Sequence, residues 1–453
     1  MTQREAGAPV TEEQLLETER QHRQRRTVRV LVASQVLGGV GVAAGIAAGG
    51  LLAEQVSGST ALAGLAQTAA VLGAALLAVP LARLAARSGR RPALATGYLV
   101  GLAGALLTVV AAVVGEYWLM LLGSALFGGG TASNLQARYA ATDFATKADR
   151  GRSLSLVVWA TTVGAVAGPN LLGLGGRTAD LVGLPRLSGS YLFSIVSFLT
   201  GAAVVLALLR SRPRANAQPT TASALSASTT SSSRPSTIAV LGTVMRIPRA
   251  RLALVAIAAA HAVMVGVMVM TPVHLGHGGA TLEVVGIVIS VHIAGMYAAS
   301  PVMGWLTDRV GRVRTVGIGV GILLASLVTA ATSPMGGGAG MDVDAATHVS
   351  DYGARPIQVG IALTLLGLGW SCCVVAGSTL LSESVPSQVR IPAQGTSDLV
   401  MGVAAAAAGA LAGPVLAAAG FARLSLLAAV LLLPVMVLAV ALLRAPAARP
   451  AAE

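Results

Sequence analysis

The sequence predicts an all-α integral membrane fold, with twelve transmembrane helices arranged as two six-helix bundles. Composition, the spacing of the apolar segments and the placement of the arginines each point to it. Hydrophobic residues make up 55% of the 453 positions and charged residues only 11%, and the mean hydropathy is +0.76. Soluble domains carry about 25% charged residues, so a water-soluble fold of this length would have far too few charges for its surface. Glycine contributes 54 residues, in keeping with helices that approach closely inside a bilayer.

The apolar sequence is cut into segments of about 20 residues, the length that crosses a hydrocarbon core. The spans fall near 29–53, 61–82, 93–114, 117–139, 154–175, 190–210, 251–273, 282–305, 315–333, 357–381, 395–418 and 421–443. The fifth and tenth are interrupted by glycine and small polar residues. Residues 1–28 form an N-terminal tail and 445–453 a C-terminal one. The first bundle covers 29–210 and the second 251–444. Between them, 211–250 is dense in Ser, Thr, Ala and Pro, which reads as a flexible linker. A second long loop, 334–356, passes through Gly336, Gly337 and Gly338.

The net charge of +13 raises the possibility of nucleic acid, and the distribution of the charges removes it. With the N-terminus inside, 27 of the 31 basic residues fall in inside segments. Only Arg177, Arg186, Arg355 and Arg423 fall outside. The positive-inside rule then places both termini in the cytoplasm and requires an even number of spans. The expected location is the plasma (inner) membrane, with the lipid bilayer as partner and no nucleic acid. The first 27 residues lack the apolar core of a cleavable signal. Cys372 and Cys373, the two cysteines, are adjacent in a predicted helix and unsuited to a structural disulfide. Neighbours on a helix point about 100° apart, so both cannot easily face one ion.

The two bundles repeat one another. Arg87-Ser88-Gly89-Arg90-Arg91 follows the second span, and Asp308-Arg309-Val310-Gly311-Arg312 follows the eighth. Superposing Gly89 on Gly311 also matches Leu84 to Leu306 and Arg87 to Arg309. Gly164 to Pro169 in the fifth span is echoed by Gly409 to Pro414 in the eleventh. Two matching halves are expected of a repeat-built transporter. The run from Gly304 to Arg312 (Gly-Trp-Leu-Thr-Asp-Arg-Val-Gly-Arg) resembles the short-loop motif of the major facilitator superfamily, and the resemblance covers nearly the whole chain. It implies a secondary transporter working by alternating access, commonly as a monomer. It also implies a cytoplasmic latch built from Asp308, Arg309 and Arg312. In the first copy Ala86 replaces the acid and Ala82 the glycine, so a latch through Arg83 or Arg87 needs another carboxylate. Asp398 is the candidate, and a helix N-terminal carboxylate facing the macrodipole is the alternative. Gly164 to Pro169 also resembles the fifth-helix signature of drug–proton antiporters, although its echo at Gly409 makes close helix packing the simpler reading.

The seventh and eighth spans hold unusual chemistry. His261, Met264 and Met268 lie at i, i+3 and i+7 on one helix face, and His292 and Met296 are i,i+4. His292 lies about 15 Å and Met264 about 12 Å from the outer helix ends, so the two pairs can face each other at mid-membrane. Thioethers are soft neutral ligands and imidazole is borderline, a set that selects Cu(I). Magnesium, calcium or manganese would need carboxylates, and none lies between 251 and 282. With neutral ligands the loaded site carries a single positive charge, which limits the desolvation cost. Met pairs alone are often core filler, but a histidine inside a membrane segment usually marks a pathway or a hydrogen bond. The M-x-x-x-M and H-x-x-x-M pair in these spans resembles the CcoA-like copper importers. That resemblance implies Met264, Met268, His292 and Met296 as metal ligands, with His261 beside them and copper as transported substrate, not cofactor. The same group includes riboflavin transporters, so uptake or efflux of a small organic compound is the rival. His274 and His277 flank the outer mouth. Gln35, Gln67, Asn134, Gln136 and Arg138 punctuate the N-terminal half, either lining a cavity or satisfying neighbouring helix backbones. Asp143 and Asp398, near helix ends, are the acids closest to a proton-carrier role. No nucleotide-binding G-x-x-x-x-G-K-[ST] run is present, and no catalysis is expected.

Overall fold

A computed structural model describes residues 12–140, 150–209, 237–333 and 351–444. The tail before residue 12, Asp143, most of the linker, most of the 334–356 loop and residues 445–453 lie outside the described residues. Within them the chain is helical, and no strand occurs. In the first half, α1 is Glu12–Ser57, α2 Ala63–Ser88, α3 Arg90–Val114, α4 Tyr117–Ala140, α5 Arg150–Ala167, α6 Leu171–Leu181 and α7 Gly189–Leu208. In the second, α8 is Thr237–Arg246, α9 Pro248–His277, α10 Leu282–Tyr297, α11 Ser300–Val310, α12 Arg312–Ala331, α13 Asp351–Ser384, α14 Arg390–Val430 and α15 Leu433–Arg444.

Nine helices among the described residues are long and apolar enough to cross a membrane. One of them, Pro392–Arg444, runs 53 residues. At about 1.5 Å per residue that is near 80 Å, more than twice the hydrocarbon core. Gly420, at φ 80° and ψ 170°, breaks it into two spans. With α4 and the interrupted pair α5–α6, the total is twelve.

The sequence boundaries need three corrections. The fifth span is two helices, interrupted at Gly168–Asn170, where Pro169 cannot donate to the ladder. The eighth runs on to Val310, in two pieces that meet before Pro301. The linker is helical from Thr237 to Arg246, since Val240 and Val244, one turn apart, are buried against the second bundle.

Packing repeats with the sequence. In the first half, span pairs 3–4, 2–4, 1–5, 1–6 and 3–6 touch; in the second, 9–10, 8–10, 7–11, 7–12 and 9–12 do. Each pair returns six spans later. The two short loops also share a backbone. Gly89 has φ 91° and Gly311 φ 94°, a region open to glycine and costly for residues with a Cβ.

The halves meet at the end carrying the Gly58–Leu62 and Gly278–Thr281 turns, the arginine-poor end. Spans 2 and 11, 5 and 8, and 1 and 7 form the contact. A Cβ on Gly64 would lie 2.0 Å from the Gly409 carbonyl, so backbone meets backbone there. Thr68 donates to the Ala406 carbonyl at 3.0 Å, and Asn170 to Ser290 at 2.8 Å. A hydrogen bond between His277 and Glu54 at 2.9 Å and the Arg177–Glu283 ion pair at 2.8 Å cross the same rim. Thr60 also hydrogen-bonds Glu54. Without water to drive helix association, such close packing and polar contacts hold the spans together. The outer surface is apolar: Leu76, Trp118, Trp159 and Val437 are all exposed, which suits lipid and not water.

Candidate functional site

The seventh span is the most enclosed of the nine long apolar helices among the described residues. Met264 is buried in the core of the second bundle, and Met296 of the eighth span lies in the same cluster. Met268 packs at its edge and also against the cluster of the first bundle. That second cluster draws on both halves, and Met268 shares a cavity wall with Phe127 and Tyr191, so it stands where the two halves adjoin.

The histidines turn to the tenth span, a partner that the spacing within each helix did not indicate. His292 is fully buried, and its Nδ1 lies 2.7 Å from the Leu363 carbonyl. A carbonyl can only accept, so Nδ1 carries the proton and the neutral ring presents its lone pair at Nε2. Nε2 is buried and has no hydrogen-bond partner among the described residues. His261 instead accepts from the Trp370 indole N–H, Nε1 to Nδ1, at 2.9 Å. Trp370 also packs edge-on against Tyr297. The shared face expected for His261, Met264 and Met268 thus has its histidine held by the tenth span.

Register explains why that span collects these contacts. The eighth and tenth spans run parallel. His292 to Leu363 and Ser300 to Ser371 are each 71 residues apart. Gly367 permits it, because a Cβ there would lie 2.5 Å from the His292 carbonyl oxygen. A glycine-rich, tryptophan-bearing stretch (Gly367-Leu368-Gly369-Trp370) was the signal available in the sequence. Its partner spans were not readable from spacing.

Among the described residues no group of three or more His, Cys, Asp or Glu side chains is placed to hold a metal; the soft donors here are chiefly thioethers. Both cysteines are buried and free. They diverge as helix geometry requires: Cys372 Sγ lies 3.0 Å from Met303 Sδ on the eighth span, and Cys373 faces the Val316 carbonyl at 3.9 Å on the ninth. His274 stacks on Phe421 at 4.2 Å between ring centroids, while His277 is taken by Glu54.

A small cavity lies between the halves. Gln67, Ser124, Phe127, Tyr191, Met268 and Pro272 are among its lining residues, and no charged side chain is. The Ser124 hydroxyl is buried without a hydrogen-bond partner among the described residues. Of the other polar residues in the first half, Gln35 donates to the Asn134 carbonyl at 3.2 Å and to Thr161 at 2.8 Å. These satisfy neighbouring helices, while Gln67 faces the cavity. The Arg138 side chain is outside the described residues.

The loop residues assemble within the second half. Arg312 makes two hydrogen bonds to Glu383, at 2.9 and 3.0 Å, and lies 3.4 Å from Asp308. The Arg309 guanidinium sits over the Trp305 ring at 5.1 Å. Glu383, at the end of the tenth span, was not foreseen. Arg87 and Asp398 are both exposed, and neither is without an interaction.

Comparison with known proteins places this architecture. The family model described as Major Facilitator Superfamily matches residues 30–341 and 274–453. The uncharacterized MFS-type transporters YdeG and YddS of Bacillus subtilis (strain 168) are 36% and 35% identical, each over 91% of this chain and 91% and 90% of their own. The riboflavin transporter RfnT of Brucella anthropi is 29% identical over 88% of this chain and 90% of its own. In fold, the chain resembles a bacterial homolog of the human lysosomal transporter Spinster in an inward-facing, unoccupied conformation. The TM-score is 0.66 at 14% identity, with 92% of this chain and 96% of that one covered. The nucleoside transporter NupG gives 0.64 at 14% identity, covering 92% and 99%. With the repeated bundles and the Gly304–Arg312 loop, these matches make the chain a member of the major facilitator superfamily, a multi-pass membrane transporter and not an enzyme.

Proposed function

We propose that this transporter imports copper, as Cu(I), across the plasma membrane by alternating access, as a monomer with both termini in the cytoplasm. Met264, Met268, His292 and Met296 are the ligands in this reading. The observation that carries it is the His292 ring. Its Nδ1–H is fixed on the Leu363 carbonyl, and a buried, unpartnered lone pair is left at Nε2. Metal-binding histidines are held in this manner, by the second nitrogen on a carbonyl or carboxylate. A polar atom left unpaired in the membrane interior is costly, and a soft cation would relieve it. The buried thioethers of Met264 and Met296 in the adjoining cluster supply donors that suit Cu(I).

Cells expressing the chain should accumulate copper above vector controls. The double variant Met264→Leu, His292→Leu should bring accumulation back to the control level. Equal accumulation by the wild type and the double variant would sink this reading.

The cavity favours a second reading, transport of an uncharged organic compound. Its aromatic walls (Phe127, Tyr191), its amide and hydroxyl, and the lack of charged side chains suit a ring compound with hydrogen-bonding edges. RfnT, by its name a riboflavin transporter, is a relative across nearly the whole chain. Riboflavin uptake that survives the Met264→Leu, His292→Leu exchange and is lost in Phe127→Ala, Gln67→Leu would establish it.

A further inference from the structure

The eighth span carries more soft donors than the four assigned above, and they are in line. His292, Met296 and Met303 are spaced by four and then seven residues. Eleven residues at 100° each return to within about 20° of the start, so the three share one stripe. The break between α10 and α11 does not disturb this. Ala298 and Ala299 keep right-handed helical angles, Ala298 donates to the Ala294 carbonyl, and Met303 donates to the Ala299 carbonyl. The stripe faces the tenth span throughout: His292 meets Leu363, Ser300 meets Ser371, and Met303 meets Cys372. From His292 to Met303 it descends about 16 Å toward the arginine-rich end. At its top is an imidazole nitrogen with no partner among the described residues; at its foot, a thioether and a thiol with sulfurs 3.0 Å apart.

We infer that Met303 and Cys372 form a second Cu(I) site, to which the ion passes from the Met/His site on its way to the cytoplasm. The inference rests on the copper reading above and deepens it. Both residues are buried and both donors are soft, a set that selects Cu(I) over harder ions. Binding replaces the thiol proton: Cys372–SγH and Cu⁺ give Cys372–Sγ–Cu and H⁺, with Met303 Sδ donating a lone pair and no electron transferred. The thiolate and the cation sum to zero charge. The Met/His site, made of neutral ligands, keeps one positive charge and a larger desolvation cost. The second site is therefore the better-compensated one in a low-dielectric interior, and each ion that reaches it releases one proton. An ion between the sulfurs needs them to move apart, which the three rotatable side-chain bonds of Met303 permit. Cys373, turned to the ninth span, takes no part.

The test is anaerobic titration of the purified full-length protein with Cu(I) against a chromophoric Cu(I) chelator, in weak buffer with a pH-indicating dye. The wild type should bind two ions per chain and release one proton for the pair. Cys372→Ser and Met303→Leu should each bind one ion, and Cys372→Ser should release no proton. Met264→Leu, His292→Leu should also bind one ion, and it should still release the proton. Two ions and an unchanged proton yield in Cys372→Ser and Met303→Leu would overturn the second site while leaving the copper reading standing. A wild type that binds one ion, lost in the Met264→Leu, His292→Leu variant, would overturn it too. Failure of the wild type to bind any Cu(I) would overturn both. Met303→Leu conserves volume, so it reads the site even if Cys372→Ser does not fold.

Discussion

The loop after the second span and the loop after the eighth are one backbone with two chemistries. Each turns on a glycine with φ near 90°, and each places an arginine directly after it, Arg90 in one and Arg312 in the other. In the second half that arginine meets two carboxylates, Asp308 at 3.4 Å and Glu383 through two bonds at 2.9 and 3.0 Å. In the first half Ala86 stands at the Asp308 position, and Arg90 reaches the Gln136 amide oxygen at 3.4 Å. Charge-assisted, two-point bonds are roughly twice as strong as neutral ones and far more directional. The repeat preserves the hinge, while the loop acid Asp308 has no counterpart at Ala86. The second half also holds the Met, His and Cys residues of the candidate site. The difference teaches that symmetry of fold constrains backbone and packing, not side-chain chemistry.

Removing the charged anchor should have the larger effect. Arg312→Ala should change the balance between the two access states about fivefold, the low end of typical coupling between sites. Arg90→Ala should change it by less than about twofold, since its bond to the Gln136 amide oxygen is single and long, at 3.4 Å. Both can be read as the maleimide labelling rate of Thr68→Cys, a position covered where the halves meet. High salt should shrink the Arg312 effect, since the pair is partly exposed. Equal effects from the two arginines would mean that the chemistry of the loops does not matter.

Next in size is a buried contact of the first half. The Tyr98 hydroxyl is 2.9 Å from the Ser34 carbonyl and 2.9 Å from the Asn134 side-chain amide. Its single proton is shared between two acceptors, the Ser34 carbonyl and Asn134 Oδ1. Interhelical hydrogen bonds in membranes average about 0.6 kcal/mol, so Tyr98→Phe should cost about that in stability. A thermal melt in detergent should fall slightly, with Cu(I) binding unchanged. A loss of Cu(I) binding in Tyr98→Phe would show that the first half shares the site.

How much of this was legible in the sequence follows from what each feature depends on. Hydropathy and arginine placement depend on single residues, so the twelve spans and the repeat were readable. The break falls at Pro169, which lacks an N–H, yet Pro414 at the repeated position lies within a continuous helix, so neither proline nor the apolar pattern revealed it. The Met/His spacing was visible along each span. That His261 and His292 would turn to Trp370 and Leu363 was not, because the turn depends on which span lies alongside. The offset of about 71 between the eighth and tenth spans, at His292–Leu363 and Ser300–Ser371, is a property of packing at Gly367, and no single-helix periodicity contains it. Glu383 was missed for a similar reason: its role comes from the end of the tenth span lying beside the start of the ninth, where Arg312 stands.

The smallest effect sharpens the comparison most directly. Gln136→Glu gives the first loop the acid that the second has in Glu383. The side chain is of equal length, so the Arg90 contact should shorten from 3.4 Å into the roughly 2.7–2.9 Å range of charge-assisted bonds. Exposed ion pairs contribute little, so the labelling rate at Thr68→Cys should move by less than about twofold. The informative measurement is the second substitution. In the Gln136→Glu background, Arg90→Ala should become more damaging than it is alone, because it then removes a charged pair and leaves the introduced carboxylate unmatched. Strict additivity of the two changes would mean that Arg90 and residue 136 do not interact in any populated state, and the asymmetry of the loops would have to rest on Asp308 alone.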